Sequence, residues 1–299
     1  MAPFRSGVVA VVGRPNVGKS TLVNALVGQK VAIVSDKPQT TRRDIRAVLT
    51  TEEAQVVFTD TPGFHKPRTL LGTRLNDAVA AAVEGVDVVV LVVDAAAGVG
   101  RGDRFVFERQ VAEADAAARF CVVNKVDRLK RGLVIPQLQA AAALGEFDEI
   151  VPVSAASGEG VDILLRLVVE RLPEGPALYP ETDVTDQPLE VRLAELVREQ
   201  ALRVTREEVP HSVAVLVEEI EREGDGPDGL TRVHATIVVE RDSQKGILIG
   251  HGGQTLTRIG TMARGQMEPL LGTRVYLDLR VKVLKEWQRD PKALNRLGF

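Results

Sequence analysis

Apolar, mostly β-branched runs punctuate the first half of the chain, at residues 8–12 (VVAVV), 55–59 (QVVFT), 86–94 (VDVVVLVVD), 119–124 (RFCVVN) and 149–154 (EIVPVS). They do not alternate strictly between apolar and polar, as strands buried on both faces would not. Between them lie stretches with helical spacing, among them KSTLVNALVG and TRLNDAVAAAVEG. This succession predicts an α/β domain over 1–172, with a mostly parallel sheet and helices on both faces. Such sheets bind ligands at the carboxyl ends of their strands.

The pattern changes after residue 172. The stretch 173–188 (PEGPALYPETDVTDQP) is rich in proline and acid, has no period and reads as a linker. LEVRLAELVREQALRVT then predicts an amphipathic helix. HSVAVLVEEIERE and LTRVHATIVVER predict two strands, joined by the acidic loop GDGPDG. A helical region over 243–271 and a strand at 274–284 complete a smaller α+β domain over 189–299. No repeat or heptad seam suggests self-association, so a monomer is expected.

Composition narrows the class. With 44% hydrophobic and 26% charged residues among 299, the chain can bury a core and is not disordered. One cysteine, Cys121, excludes an internal disulfide and lies in an apolar run. Four scattered histidines make no zinc pattern. The run 86–100 carries Asp87 and Asp94 and is too short for a bilayer. The opening MAPFRSGVVAVVG has no signal-peptide core, so a cytoplasmic protein is expected. Charge is uneven: 181–240 holds 6 Lys+Arg against 15 Asp+Glu, whereas 241–299 holds 11 against 5. The basic end suits a phosphate-bearing partner, or simply a solvated surface.

The chemistry starts at Gly13-Arg14-Pro15-Asn16-Val17-Gly18-Lys19-Ser20, followed by Thr21. A strand precedes it and a helix follows, the setting of a phosphate-binding loop. Glycines let successive N–H groups turn toward phosphate, Lys19 reaches the β/γ oxygens, and the Ser20 hydroxyl ligates Mg²⁺. Asp60, Thr61, Pro62 and Gly63 follow the next strand. Asp60 would hold Mg²⁺ and Gly63 would offer its amide to a γ-phosphate. Asn124, Lys125 and Asp127 end another strand. A carboxylate at Asp127 would pair with guanine N1–H and N2, a donor pair that adenine lacks. Ser154 and Ala155 end the last strand, where the Ala155 amide would meet guanine O6. Phe64 stands where Ras-like GTPases carry the glutamine that orients water.

GRPNVGKS, PQTTR, DTPGFHKP, NKVD and SAASG together resemble the TRAFAC-class GTPases, and specifically the Era family. The resemblance implies hydrolysis of GTP to GDP and phosphate with Mg²⁺ as cofactor. It implies that Thr41 is the Mg²⁺-sensing hydroxyl of switch I, with Thr40 its neighbour, an order the sequence leaves open. Some relatives lacking the glutamine use potassium, held partly by an asparagine at the position of Asn16. The alternative is a local hydrogen bond made by Asn16. His65 is a second candidate catalyst. Arg42 and Arg43 read as solvated switch residues or as charge near phosphate.

Gly250-His251-Gly252-Gly253 fits the G-x-x-G loop with which KH domains clamp about four nucleotides. Two strands before the helical pair and one after resemble a type II KH fold, with which the Era family ends. Lys245, Arg258 and Arg264 are the candidate cationic contacts, and Ile249 lines the base-facing groove. The implied partners are 16S ribosomal RNA near its 3′ end and the maturing 30S subunit. Two alternatives stay open: a membrane-associated regulatory GTPase linked to the cell cycle, and a GTP-sensing RNA-binding module with little turnover. The tail KEWQRDPKALNRLGF reads either as a closing helix with Trp287 in the core or as a peripheral membrane contact.

Overall fold

The computed structural model describes residues 3–299 apart from 38, 64–66, 68, 206–208, 225 and the side chain of Arg131. Two compact units divide the chain. The first runs to Asp186, apart from 35–37 and 69–71, and the second runs from Gln187 to Phe299.

In the first unit, β1 (Arg5–Val12) leads into α1 (Lys19–Val27). There follow β2 (Ile45–Thr50), β3 (Ala54–Asp60), α2 (Leu70–Ala81), β4 (Val88–Asp94), α3 (Arg101–Gln110), β5 (Ala118–Asn124), α4 (Val134–Ala142), β6 (Glu149–Val153) and α5 (Val161–Arg171). The sheet order is β2-β3-β1-β4-β5-β6, and every pairing is parallel except β2 with β3. Successive residues of one strand serve two cores, as the period of two requires. Val9 and Val11 pack with Leu22, Phe58, Phe120 and Leu164 on one face. Ala10 and Val12 pack with Leu91, Cys121, Val106 and Leu144 on the other.

Residues 173–186 lie against this sheet. Val48 N–H donates to the Val184 carbonyl at 3.0 Å, and Thr185 bridges Ala47 in antiparallel fashion. The buried Gln55 carboxamide grips the same segment. Its Nε2 donates to Tyr179 O at 2.9 Å, and its Oε1 accepts from Leu178 N at 2.6 Å and Tyr179 N at 2.8 Å.

The second unit comprises α6 (Leu189–Val204), a short α7 (Val209–Ser212), β7 (Ala214–Glu223), β8 (Leu230–Val239), α8 (Asp242–Ile249), α9 (Gln254–Leu271), β9 (Arg274–Val283) and α10 (Pro291–Leu297). Its sheet order is β7-β8-β9, antiparallel then parallel. Helices cover one face. Leu193, Val197 and Ala201 of α6 and Ile259, Ala263 and Met267 of α9, each set at a spacing of four, meet Val233, Ala235 and Ile237 of β8. Trp287 is fully buried, donates from Nε1 to Ser212 O at 3.0 Å, and stacks on Phe299 at 5.7 Å.

Candidate functional site

The phosphate-binding loop is shaped by steric demands that the motif only hints at. Gly18 has φ +101°, and a Cβ there would lie 2.3 Å from Asn124 Nδ2. Gly13 has φ +153°, and a Cβ would lie 2.5 Å from Val92 O. Both positions therefore need glycine on two counts. Between them Val17 is buried, while Asn16 is exposed and left-handed at φ 64°. Lys19 is buried, and its Nζ donates to the carbonyls of Gly13 and Arg14 at 3.1 Å each. Burial pushes the Lys19 ammonium down to about 8, with the Asp60 charge pulling the other way. Thr21, the next residue after Ser20 on α1, is half-buried.

Three oxygen-bearing side chains converge beside this loop. Ser20 Oγ and Thr41 Oγ1 lie 2.9 Å apart, and Thr41 Oγ1 donates to Asp60 Oδ2 at 3.1 Å. Asp60 is fully buried at the end of β3, and its Oδ1 has no hydrogen-bond partner among the described residues. Burial raises the Asp60 carboxyl, with Lys19 and the Ser20 and Thr41 hydroxyls opposing the rise. An unpaired buried carboxylate oxygen beside two hydroxyls is an all-oxygen donor set suited to a hard divalent cation. Thr41 faces this set. Arg42 departs from the solvated reading. It is only 3% exposed, because the segment that brings Thr41 inward carries Arg42 with it.

Thr61 is buried and donates from Oγ1 to Val11 O at 2.9 Å, tying the segment after Asp60, the position of switch II in GTPases, to β1. Pro62 follows it, also buried. A Cβ on Gly63 would come within 2.7 Å of both Pro15 Cα and Pro15 N, so switch II packs backbone to backbone on the phosphate loop. Phe64 and His65 lie outside the described residues.

Asn124 ties the base side together. Its Nδ2 donates to Val17 O at 2.9 Å, and its Oδ1 accepts from Lys125 N at 2.8 Å and Ala155 N at 3.0 Å. The Ala155 amide is thus engaged by Asn124, and guanine O6 would compete for it. Lys125 Nζ donates to Asn16 O and to Asp94 Oδ2, both at 2.6 Å. Asp127 is exposed in a 3-10 turn over Val126–Arg128. Ser154 is fully buried and receives the Ser157 N–H at 3.2 Å. Two acids that lie outside every motif, Asp94 and Asp103, contact this site. Asp103 accepts from Arg14 Nε at 2.8 Å. Only their positions, at the end of β4 and in the first turn of the next helix, offered a clue.

In the second unit the G-x-x-G loop joins α8 to α9. Gly250, Gly252 and Gly253 have φ of 72°, 56° and 82°. At Gly250 a Cβ would lie 2.2 Å from Thr255 Oγ1, so the loop closes tightly on α9. His251 is exposed, as are Arg258 and Arg264 on α9, whereas Lys245 and Ile249 on α8 are half-buried. Arg264 lies 3.9 Å from Glu268, a loose exposed pair that leaves its charge available.

The comparisons agree with this geometry. Residues 8–125 match the family described as 50S ribosome-binding GTPase, and residues 208–288 match the KH domain. GTPase Era of Mycolicibacterium smegmatis is 53% identical over 300 residues, covering 100% of both chains. GTPase Era of Mycobacterium tuberculosis is 52% identical over 301 residues, again covering 100% of both. A crystal structure of Era in complex with MgGDPNP and nucleotides 1506–1542 of 16S ribosomal RNA superposes with a TM-score of 0.94 at 39% identity, covering 99% of each chain. A variant of Aquifex aeolicus Era bound to GDP.AlF4- superposes at 0.93 with 38% identity and 99% coverage of both. A P-loop GTPase unit, a KH unit and full-length identity above one half place the chain in the Era family of GTPases.

Proposed function

We propose that this chain is a GTP-driven switch whose KH unit binds 16S ribosomal RNA near its 3′ end and assists maturation of the small ribosomal subunit. As a member of the Era family it is a GTPase. The observation that carries the RNA reading is the end-to-end likeness to an Era chain crystallised with both MgGDPNP and that RNA segment. The exposed His251 and Gly252 of the G-x-x-G loop and the exposed Arg258 and Arg264 support it.

The site residues divide the work. Lys19 and the amides of Arg14 and of residues 16–18 receive the phosphates, and Asp127 selects guanine. Ser20, Thr41 and Asp60 would hold Mg²⁺, which when bound would supply positive charge beside the phosphates. Gly63 presents its amide to the γ-phosphate. Thr41 and Gly63 thus link switches I and II to the third phosphate, and loss of that phosphate releases both. Potassium, held partly by Asn16, would add positive charge beside the phosphates in place of an arginine finger. Its support is family analogy together with the exposed, left-handed Asn16 at the loop's crest. Turnover faster in KCl than in NaCl, with the difference lost in Asn16→Ala, is the expected result. Equal rates in both salts remove potassium from the reading.

The RNA role is tested with a fluorescent RNA carrying the last nucleotides of 16S rRNA against a scrambled control. The full chain should prefer the native sequence. The double substitution His251→Asp with Gly252→Asp should lose at least about tenfold in affinity, by placing two carboxylates against the RNA backbone, while basal GTP hydrolysis stays unchanged. Equal binding of native and scrambled RNA overturns the proposal.

A further inference from the structure

Three consecutive residues at the crest of the phosphate loop are each held from outside. Asn16 O is held by Lys125, itself anchored on Asp94 at 2.6 Å. Pro15 lies under Gly63. Arg14 is held by Asp103. The first two holds come from the motifs or from residues touching them. The third belongs to α3, which carries no recognised motif.

The Arg14 hold is built on both sides. The Asp103 carboxylate is only 1% exposed and already fixed, because its Oδ2 accepts the Gly100 N–H at 2.9 Å within its own helix turn. Its Oδ1 then meets Arg14 Nε at 2.8 Å. The Arg14 stem crosses the first turn of α3, where a Cβ on Gly102 would lie 2.6 Å from Arg14 Cδ. The arginine remains 34% exposed, so the pair contributes little to global stability. Its effect is local. Arg14 also offers its carbonyl to Lys19 Nζ, and Asn16, Val17 and Gly18, just beyond Pro15, carry the amides that would face phosphate. Displacing such groups by about 1 Å costs up to about a hundredfold in rate.

We infer that Asp103, acting through Arg14, is a positioning residue for GTP hydrolysis that fixes the crest of the phosphate loop from α3. The Arg14 side chain thus lies along α3 and works through its own backbone. The inference rests on GTP binding at this loop.

The test is steady-state GTP hydrolysis by the full chain and by Arg14→Gln, Arg14→Lys, Asp103→Asn and the double variant R14Q/D103N, each with its melting temperature. Arg14→Gln leaves the Asp103 cap on Gly100 intact and so separates positioning from helix stability. Each of Arg14→Gln and Asp103→Asn should lower kcat about tenfold with KM within about threefold. The double variant should be no slower than the slower single, and Arg14→Lys should recover part of the rate. A kcat within twofold of the parent, with only the melting temperature lowered, overturns the inference. So does a double variant whose loss is the product of the singles. A parent chain without turnover would overturn the functional reading as well, whereas an active parent with unaffected variants overturns this inference alone.

Discussion

Lys125 and Asp94 meet at 2.6 Å in a partly buried ion pair, and the same ammonium reaches across to the Asn16 carbonyl. Asp94 also accepts the amides of Ala96 and Ala97 through its other oxygen. Lys125, in the NKVD motif on the proposed guanine side, is therefore set by an acid at the end of β4. Asp94→Asn should release it. Loss of one charge-assisted hydrogen bond corresponds to about a tenfold faster GDP dissociation. Stopped-flow release of a fluorescent GDP analogue checks this, and an unchanged rate would show that Asp94 only shapes the loop after β4.

Lys19 gives a pH prediction. In the protein's own surroundings burial holds its ammonium at about 8 rather than near 10.5. A bound triphosphate favours the charged form and raises that value. Binding is therefore at full strength below pH 8, and above it requires proton uptake. Affinity for GTP should be flat from pH 6.5 to about 7.5 and fall by up to about tenfold per unit above pH 8. Calorimetry in buffers of different ionisation enthalpy should show uptake approaching one proton per nucleotide at about pH 9. A flat affinity through pH 9.5 contradicts it.

Gly63 has a packing duty as well as an amide. Any side chain there meets Pro15 backbone atoms at 2.7 Å, which cannot rotate away. Gly63→Ala should push switch II off the phosphate loop and lower kcat about a hundredfold. GDP affinity should stay within about threefold, since GDP has no γ-phosphate for the Gly63 amide to meet. Equal losses for GDP and GTP binding would point to general disruption instead.

Gln55 is the anchor of the segment after the first sheet. Its carboxamide satisfies Thr50 Oγ1, Tyr179 O and the amides of Leu178 and Tyr179. Gln55→Ala leaves several of these groups unpaired and should cost about 2–4 kcal/mol. Hydrogen exchange at Leu178 and Tyr179 should quicken far more than exchange in β4 or β5. Uniform acceleration across the sheet would show that Gln55 supports the core rather than the segment.

How much of this was legible depends on what each signal encodes. The strands buried on both faces announced themselves as β-branched runs, and β1, β3, β4, β5 and β6 lie where those runs are. β2 did not, because IRAVLT mixes exposed and buried positions on an antiparallel edge strand. The motif residues Gly13, Gly18, Lys19 and Asn124 form one site because each ends or follows a strand of that sheet. The adjacent Thr40 and Thr41 could not be ordered by composition, and only folding turns one hydroxyl toward Asp60. Asp94 and Asp103 carry no motif, since an acid acting on a neighbour's lysine or arginine shows no fixed spacing. The aperiodic stretch 173–188 reads as a linker, yet the backbone of Val184 and Thr185 pairs with Val48 and Ala47, and Leu178 and Tyr179 are gripped by Gln55. Hydrogen bonds made by main-chain atoms leave little trace in side-chain pattern.

On the proposed function, one nucleotide-controlled chain recognises the 3′ end of 16S rRNA. The most direct measurement is crosslinking of the full chain to RNA in a cell extract, followed by sequencing, once with a non-hydrolysable GTP analogue and once with GDP. Enrichment of the 16S rRNA 3′ end with the analogue, fading with GDP, is the expected result. Broad recovery of RNA, or recovery indifferent to the nucleotide, would contradict it.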